Sequence, residues 1–396
     1  MLILFNFARL TELKMLCCIF NYPSLYRTSI FRKMDEEFDV QFCFGRNLPG
    51  AQNAGIARMD YSVLKRRPKH FRALSFWGKF PWYCGILHLA LNRKYDTFLL
   101  TGEFNWAYFP FLLLCRMTGK KVYAWGHGLR KPGSYPKLRR FFFDSLAGFF
   151  IYGEKGKERM VSLGYPAGKI HVIYNSLCTR DEVPALRKDL KSDIYINHFG
   201  NADPVLFFSG RLTAVKRIDM LINAVHKLNT EGCHCNVVLV GDGAERQKLE
   251  TMVSRAGIGD RIWFFGKCYE ENRLSEMIYN ADLCVSPGNA GLVAVHALMY
   301  GTPIVTHSDF ELQMPEYEVI IPGKTGMLFD RGSNDSLMDA IRSWLAAGYD
   351  REEVRRNCAE MIEGKWNSDY QIEVFRRYLG GKCAGCLLYT SPSPRD

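Results

Sequence analysis

The chain has 396 residues, 47% of them hydrophobic, enough for two cores of roughly 150–200 residues each. Its formal charge of +11 is uneven: residues 1–180 hold 28 Lys+Arg against 11 Asp+Glu (+17), and residues 181–396 hold 24 against 30 (−6). No run reaches the ~18 apolar residues of a membrane span, and the thirteen cysteines lie mostly in apolar strand-like runs, which argues against a disulfide framework and for a reducing cytosol.

The opening MLILFNFARLTELK has an apolar patch but no cleavage-site pattern, so no secretory signal is expected and the first strand is placed after Met15. Leu16–Phe20 reads as a buried strand closed by Asn21-Tyr22-Pro23. A helix-like segment (Leu25, Ile30, Phe31, Met34) and a second strand, Val40–Phe44, follow, and this alternation predicts a parallel sheet. Residues 45–92 interleave Lys65, Arg66, Arg67 and Lys69 with Phe71, Phe76, Trp77, Phe80, Trp82 and Tyr83. Such a mixture suits nucleic acid or an anionic membrane surface, and part of it must be core. The sequence leaves the division open.

The alternation resumes with strand Thr97–Leu100, helix Trp106–Met117 and strand Lys121–Trp125, then Gly126-His127-Gly128. A histidine between glycines just past a strand's carboxyl end stands where open α/β sheets hold ligands; a histidine satisfied within its turn fits the same pattern. A helix near Pro136–Leu146, strand Gly148–Tyr152, helix Glu154–Leu163 and strand Ile170–Tyr174 complete the first block. Residues 179–199 are polar and charged, and are expected to be a linker between an amino-terminal domain over 15–178 and a carboxyl-terminal domain over 200–380.

The second block opens with strand Val205–Ser209 and a helix whose Ile218, Leu221, Ile222, Val225 and Leu228 keep helical spacing. Strand Val237–Val240, Gly241-Asp242-Gly243, helix Arg246–Ala256, strand Ile262–Phe265 and helix Leu274–Ala281 follow. Cys233-His234-Cys235 and Cys383-x-x-Cys386 each lack a second ligand pair, so no metal site is expected. The tail, 381–396, has no periodic pattern and is expected to be disordered.

Two features of this block point to chemistry. Cys284–Thr306 reads as a buried strand, a Ser-Pro-Gly-Asn loop, an apolar helix from about Gly291, and another strand; only His296 interrupts the apolar helix. A glycine-bearing loop feeding a buried helix N-terminus presents unpaired N–H groups and the positive end of the dipole, which suits a phosphate. Gly210-Arg211-Leu212 and Lys216 place two cations beside another strand end, Arg as a planar fork and Lys as a mobile point charge. An isolated Arg/Lys pair is usually a solvated face. Their occurrence together with the helix entry is the stronger signal.

At these residues the chain resembles a known family. VLFFSGRLTAVKRIDMLINA, VVLVGDGAERQKLE, IWFFGKCYEENRLSEMIYNADLCVSPGNAGLVAVHALMYGTPIVTH and PEYEVIIPGKTGMLF are similar to the carboxyl half of family 4 glycosyltransferases, and NYPSLYR, AWGHG and VIYNSL resemble its bacterial members more loosely. The resemblance implies two tandem Rossmann-like, doubly wound parallel-sheet domains facing a cleft (GT-B), and a retaining sugar transfer from a nucleotide-diphosphate donor without a metal or other cofactor. Carried over by position, Arg211 and Lys216 hold the donor diphosphate and stabilise the leaving nucleotide. Gly210 and the backbone of Gly291, Leu292 and Val293 face the phosphates, Lys267 lies near the base, and His127 approaches the sugar from the amino domain. The family's two glutamates, with seven residues between them, fall on Gly288 and His296. His296 then serves the ribose hydroxyls, and Asn289 or backbone N–H groups replace the missing carboxylate.

The expected activity is hexose-type transfer onto a glycan or glycolipid acceptor in surface-polysaccharide synthesis, such as lipopolysaccharide, by a cytoplasmic enzyme peripheral to an anionic membrane, with no nucleic acid partner. A nucleotide-sugar epimerase on the same architecture, or a non-catalytic lipid- or nucleic-acid-binding module, are the alternatives.

Overall fold

Apolar strand runs alternating with amphipathic helices give two parallel sheets in the structure, a computed structural model that describes residues 15–46, 57–76, 80–103, 105–129 and 136–380. The opening residues 1–14, Trp77 and the tail 381–396 lie outside the described residues. The first half contains β1 (Met15–Phe20), α1 (Thr28–Glu37), β2 (Val40–Gly45), β3 (Lys69–Phe71), β4 (Ala73–Phe76), β5 (Phe80–Tyr83), α2 (Ile86–Leu91), β6 (Tyr95–Thr101), α3 (Tyr108–Met117), β7 (Lys121–Gly126), α4 (Pro136–Asp144), β8 (Gly148–Ile151), α5 (Glu154–Ser162) and β9 (Ile170–Val172). Seven of these strands form one sheet in the order β3-β2-β1-β6-β7-β8-β9, and β4 pairs antiparallel with β5.

The second half runs through α6 (Glu182–Leu186), α7 (Ile194–Phe199), β10 (Val205–Ser209), α8 (Ile218–Thr230), β11 (Asn236–Val240), α9 (Arg246–Ala256), β12 (Ile262–Gly266), α10 (Glu271–Asn280), β13 (Leu283–Ser286), α11 (Leu292–Met299), β14 (Ile304–His307), β15 (Gly326–Phe329), α12 (Asn334–Ala346), α13 (Arg351–Lys365) and α14 (Ser368–Leu379). Its sheet has the order β12-β11-β10-β13-β14-β15 with parallel pairing throughout. That is the doubly wound dinucleotide-fold order, and its direction reverses between β10 and β13, where such sheets open a crevice at their carboxyl ends. β10, β11 and β13 are buried on both faces (Phe207, Val238, Leu239, Cys284, Val285), as a helix-covered parallel sheet requires.

One division that the sequence leaves open is settled in part, and one expectation needs correction. In the basic–aromatic stretch after residue 45, Phe71 and Tyr83 are buried, with ring centroids 4.6 Å apart. Lys65 Nζ donates to the Asp35 carbonyl at 2.8 Å and Lys69 Nζ to Tyr95 Oη at 3.2 Å. Phe71 and Tyr83 are therefore core, while Lys65 and Lys69, though exposed, are tied to the fold by these bonds. The expected linker 179–199 contains α6 and α7, and Arg187 beyond α6 is half-buried. Its guanidinium donates to the carbonyls of Leu298 (2.6 Å), Met299 (2.8 Å) and Arg355 (2.9 Å). It therefore closes the carboxyl end of α11, where a cation also meets the favourable end of the dipole.

Packing also divides the chain differently from a cut between 178 and 200. One compact unit takes in the described residues up to Gly126, those from 136 to Phe149, and those from Ile372 onward; the other takes in His127 to Leu129 and Phe150–Gln371. The reason lies in α14. Its first residue, Ser368, is tied to the Cys178 carbonyl by its amide and its hydroxyl, both at 2.9 Å. Farther along, Phe375 packs edge-on against Trp125 at 5.3 Å, and the Tyr378 carbonyl accepts from Tyr123 Oη at 2.9 Å.

Candidate functional site

At the carboxyl ends of β10, β11 and β13, three loops approach backbone to backbone. Gly210 N donates to the Val240 carbonyl at 2.9 Å, and Leu212 N to the Asp242 carbonyl at 3.0 Å. Gly288 N donates to the Lys216 carbonyl at 3.0 Å. A side chain at Gly288 has no room: a Cβ there would collide with the Val215 carbonyl oxygen and stand 2.7 Å from Lys216 Cα. The loop after β13 thus lies directly on the loop after β10.

This contact brings Lys216 to the helix entry. Its Nζ donates to the Asn289 carbonyl at 2.6 Å, immediately before α11. Burial, helped by the nearby Arg211 charge and opposed by Glu316, pulls the ammonium down to about 8. Arg211 itself is exposed. In α11 the first-turn amides of Leu292 and Val293 have no partner within the helix, no acidic residue stands in that turn, and Gly291, Leu292 and Val293 are only part-buried. Two cations and open amides therefore converge on one spot, the composition of an anion site. Ser286 Oγ and Asn289 Oδ1 are buried there without a hydrogen-bond partner among the described residues, leaving polar atoms for a ligand to satisfy.

The other expected residues stand in separate contacts. His127 follows β7, exposed, with its ring 5.0 Å from that of Tyr152. Lys267 Nζ lies 3.7 Å from Asp242 Oδ2, both largely in solvent. His296 turns to α10: its Nε2 is 2.7 Å from Glu271 Oε1, which also accepts from Tyr300 Oη at 2.6 Å. Burial would raise the Glu271 carboxyl, but the His296 hydrogen bond and charge and the Tyr300 hydroxyl outweigh it and hold the group below its usual range. Any contact of His296 with a ligand is thus made by a ring oriented by a carboxylate. Among the described residues no group of three or more His, Cys, Asp or Glu is placed to hold a metal ion.

Several residues that support the site escape a reading of motifs. Gln313, buried, accepts from Ala290 N at 2.6 Å and donates to Thr306 Oγ1 at 2.9 Å. Thr306 in turn donates to the Ser286 carbonyl at 2.7 Å, so this pair fixes the Ser-Pro-Gly-Asn loop from beneath. Asn175, three residues beyond β9, donates to Glu316 Oε1 at 2.7 Å. Glu318 Oε2 accepts from Glu154 N at 2.8 Å and its Oε1 from Lys155 N at 3.1 Å, so it caps α5 from far along the chain. Asn175, Thr306, Glu316 and Glu318 lie inside stretches that carry the family resemblance, but nothing in those stretches marks which partner each side chain meets.

Residues 193–361 match the family model described as Glycosyl transferases group 1. Among curated relatives, the alpha-D-kanosaminyltransferase of Streptomyces kanamyceticus is 26% identical over 41% of this chain and 42% of its own length. The N-acetyl-alpha-D-glucosaminyl L-malate synthase of Bacillus anthracis is 27% identical over 49% of this chain and 48% of its own. The chain thus spans about half the length of these relatives. The lipopolysaccharide core biosynthesis glycosyltransferase LpsE of Rhizobium meliloti is 24% identical over 83% of this chain and 88% of its own. Among solved structures, Anabaena HepE in complex with UDP superposes with a TM-score of 0.70 at 15% identity, over 92% of this chain and 99% of that one. The lipopolysaccharide outer core galactosyltransferase WaaB gives 0.65 at 15%, over the same shares. The fold is therefore that of the GT-B glycosyltransferases.

Proposed function

We propose that this chain, which carries a group 1 glycosyl transferase domain on a GT-B fold, moves a sugar from a nucleoside-diphosphate donor to a glycan or lipid-linked acceptor of a surface polysaccharide. The observation that carries the reading is Lys216, a largely buried ammonium held 2.6 Å from the Asn289 carbonyl at the open end of α11. Burial costs such a cation part of its hydration, and a diphosphate in the same spot compensates for that loss. With Arg211 beside it, the pair neutralises charge that grows on the leaving diphosphate as the glycosidic bond breaks, a contribution stronger in the transition state than in the ground state. The amides of Leu292 and Val293 add fixed dipoles at no reorganisation cost. His296, oriented by Glu271, is assigned to the ribose hydroxyls, and His127 to the sugar. Retention of configuration, a hexose donor, catalysis without metal, and a cytoplasmic place at a membrane surface complete the reading. The UDP-bound neighbour makes UDP the first nucleotide to test, and the lipopolysaccharide enzymes among the relatives favour that acceptor class.

The test is a panel of nucleotide sugars with candidate acceptors, followed by NMR for nucleotide release and anomeric outcome. Transfer predicts nucleotide release only when acceptor is present; a changed sugar on an intact diphosphate would replace transfer with epimerisation. Arg211→Ala and Lys216→Ala should each lose about 10²–10³-fold in turnover while keeping the wild-type melting profile. UDP affinity, measured by titration calorimetry, should fall as pH rises through about 8, where Lys216 loses its proton. Wild-type turnover in either variant would overturn the assignment.

A further inference from the structure

Four large apolar side chains stand in water on one side of the unit built on β1: Leu91, Leu113, Met117 and Phe141, with Met117 74% exposed. They are contiguous. In α3, Phe109, Leu113 and Met117 recur at four-residue steps and share one stripe. Phe141 of α4 stacks on Phe109 at 6.0 Å. Lys120 Nζ donates to the Asn92 carbonyl at 2.6 Å, which draws the end of α2, with Leu91, to the end of α3. Monomers seldom leave such a stripe uncovered without a use for it.

Its surroundings are cationic. Arg93, Lys94, Arg116, Lys121 and Lys137 are all exposed, and Lys137 lies one turn before Phe141 on the same face of α4. Residues 85–144 hold ten Lys+Arg against three Asp+Glu. Of those acids, Asp144 is bonded to Arg140 and Glu103 accepts from Asn21. Nucleic acid would satisfy the cations but leave Leu91, Leu113 and Met117 without use, because aliphatic side chains offer no ring for a base to stack on. An anionic bilayer satisfies both, with hydrocarbon for the stripe and headgroup phosphates for the rim.

We propose that the α2–α3–α4 face docks on an anionic lipid surface, with Leu113 and Met117 entering the headgroup–acyl boundary and the Lys/Arg rim on the phosphates. The choice of a lipid surface rests on the reading above, and the assignment to this face is new to it. The experiment is vesicle flotation of the full chain on phosphatidylglycerol–phosphatidylcholine mixtures and on pure phosphatidylcholine, with UDP binding measured in parallel. The wild type should float with the anionic vesicles alone, less so as salt rises. Leu113→Asp with Met117→Asp should cut the bound fraction at least about tenfold, with melting temperature and UDP binding unchanged. Arg93→Ala with Lys94→Ala should weaken binding roughly fivefold per cation removed. If the double aspartate variant fails to fold, Lys94→Glu with Arg116→Glu carries the same test. Wild-type flotation of the aspartate and charge-reversed variants would overturn the proposal. So would binding to a single-stranded oligonucleotide but not to vesicles, or no vesicle binding at all. Vesicle binding without UDP binding would instead count against the sugar-transfer reading alone.

Discussion

Gly288 decides more than its missing side chain suggests. It stands where the resembling family carries a glutamate, yet a Cβ at this position would strike the Val215 carbonyl and crowd Lys216 Cα at 2.7 Å. The close approach it permits lets Lys216 reach the Asn289 carbonyl. Restoring the acid should therefore harm the site. Gly288→Glu is expected to cost about 1–3 kcal/mol by overpacking and to weaken UDP binding, read by urea denaturation and calorimetry. Tighter UDP binding in that variant would show that the loop can withdraw from the strand end. The adjacent Asn289 Oδ1 and Ser286 Oγ are buried without hydrogen-bond partners among the described residues.

Helix ends explain the supporting structure. α11 is closed at its carboxyl end by Arg187 and left open at its amino end, so its dipole points its positive end at the site. α5 has the opposite arrangement, its amino end closed by Glu318. Burial pushes that carboxyl up to about 7, against the two amide hydrogen bonds that favour its charge; Glu154 adds to the rise and Lys155 opposes it. Between its ordinary 4.5 and about 7, the folded chain holds this proton more tightly than the unfolded chain does. The group therefore makes stability fall as pH rises through that window. Glu318→Gln should flatten the slope, seen as a smaller difference between urea midpoints at pH 5 and pH 7.5. An unchanged difference would locate the titration elsewhere.

At the scale of the whole chain, the two sheets follow sequence order but the two packing units do not, since α14 starts in one and finishes in the other. Phe375, fully buried against Trp125, is the anchor of that return. Phe375→Ala should cost about 3–5 kcal/mol and, if the units melt separately, should lower the transition of the unit containing Trp125 first. Tryptophan fluorescence and calorimetry would detect this, and an unshifted melting curve would exclude α14 as a structural part of that unit.

The alternation of strand and helix, the parallel sheets and the glycine-bearing helix entry that Lys216 meets were legible in the sequence, because periodicity and glycine spacing are local properties. Other features required the fold. Basic and aromatic residues near 65–83 gave no sign of which would be buried, and nothing local marked the stripe on α3 as exposed, because exposure depends on what packs opposite. Arg187, Gln313, Glu316 and Glu318 act on partners up to 168 positions away. A hydrogen bond across that separation leaves no pattern in one sequence; tertiary structure alone decides which orphaned carbonyl or amide each side chain meets.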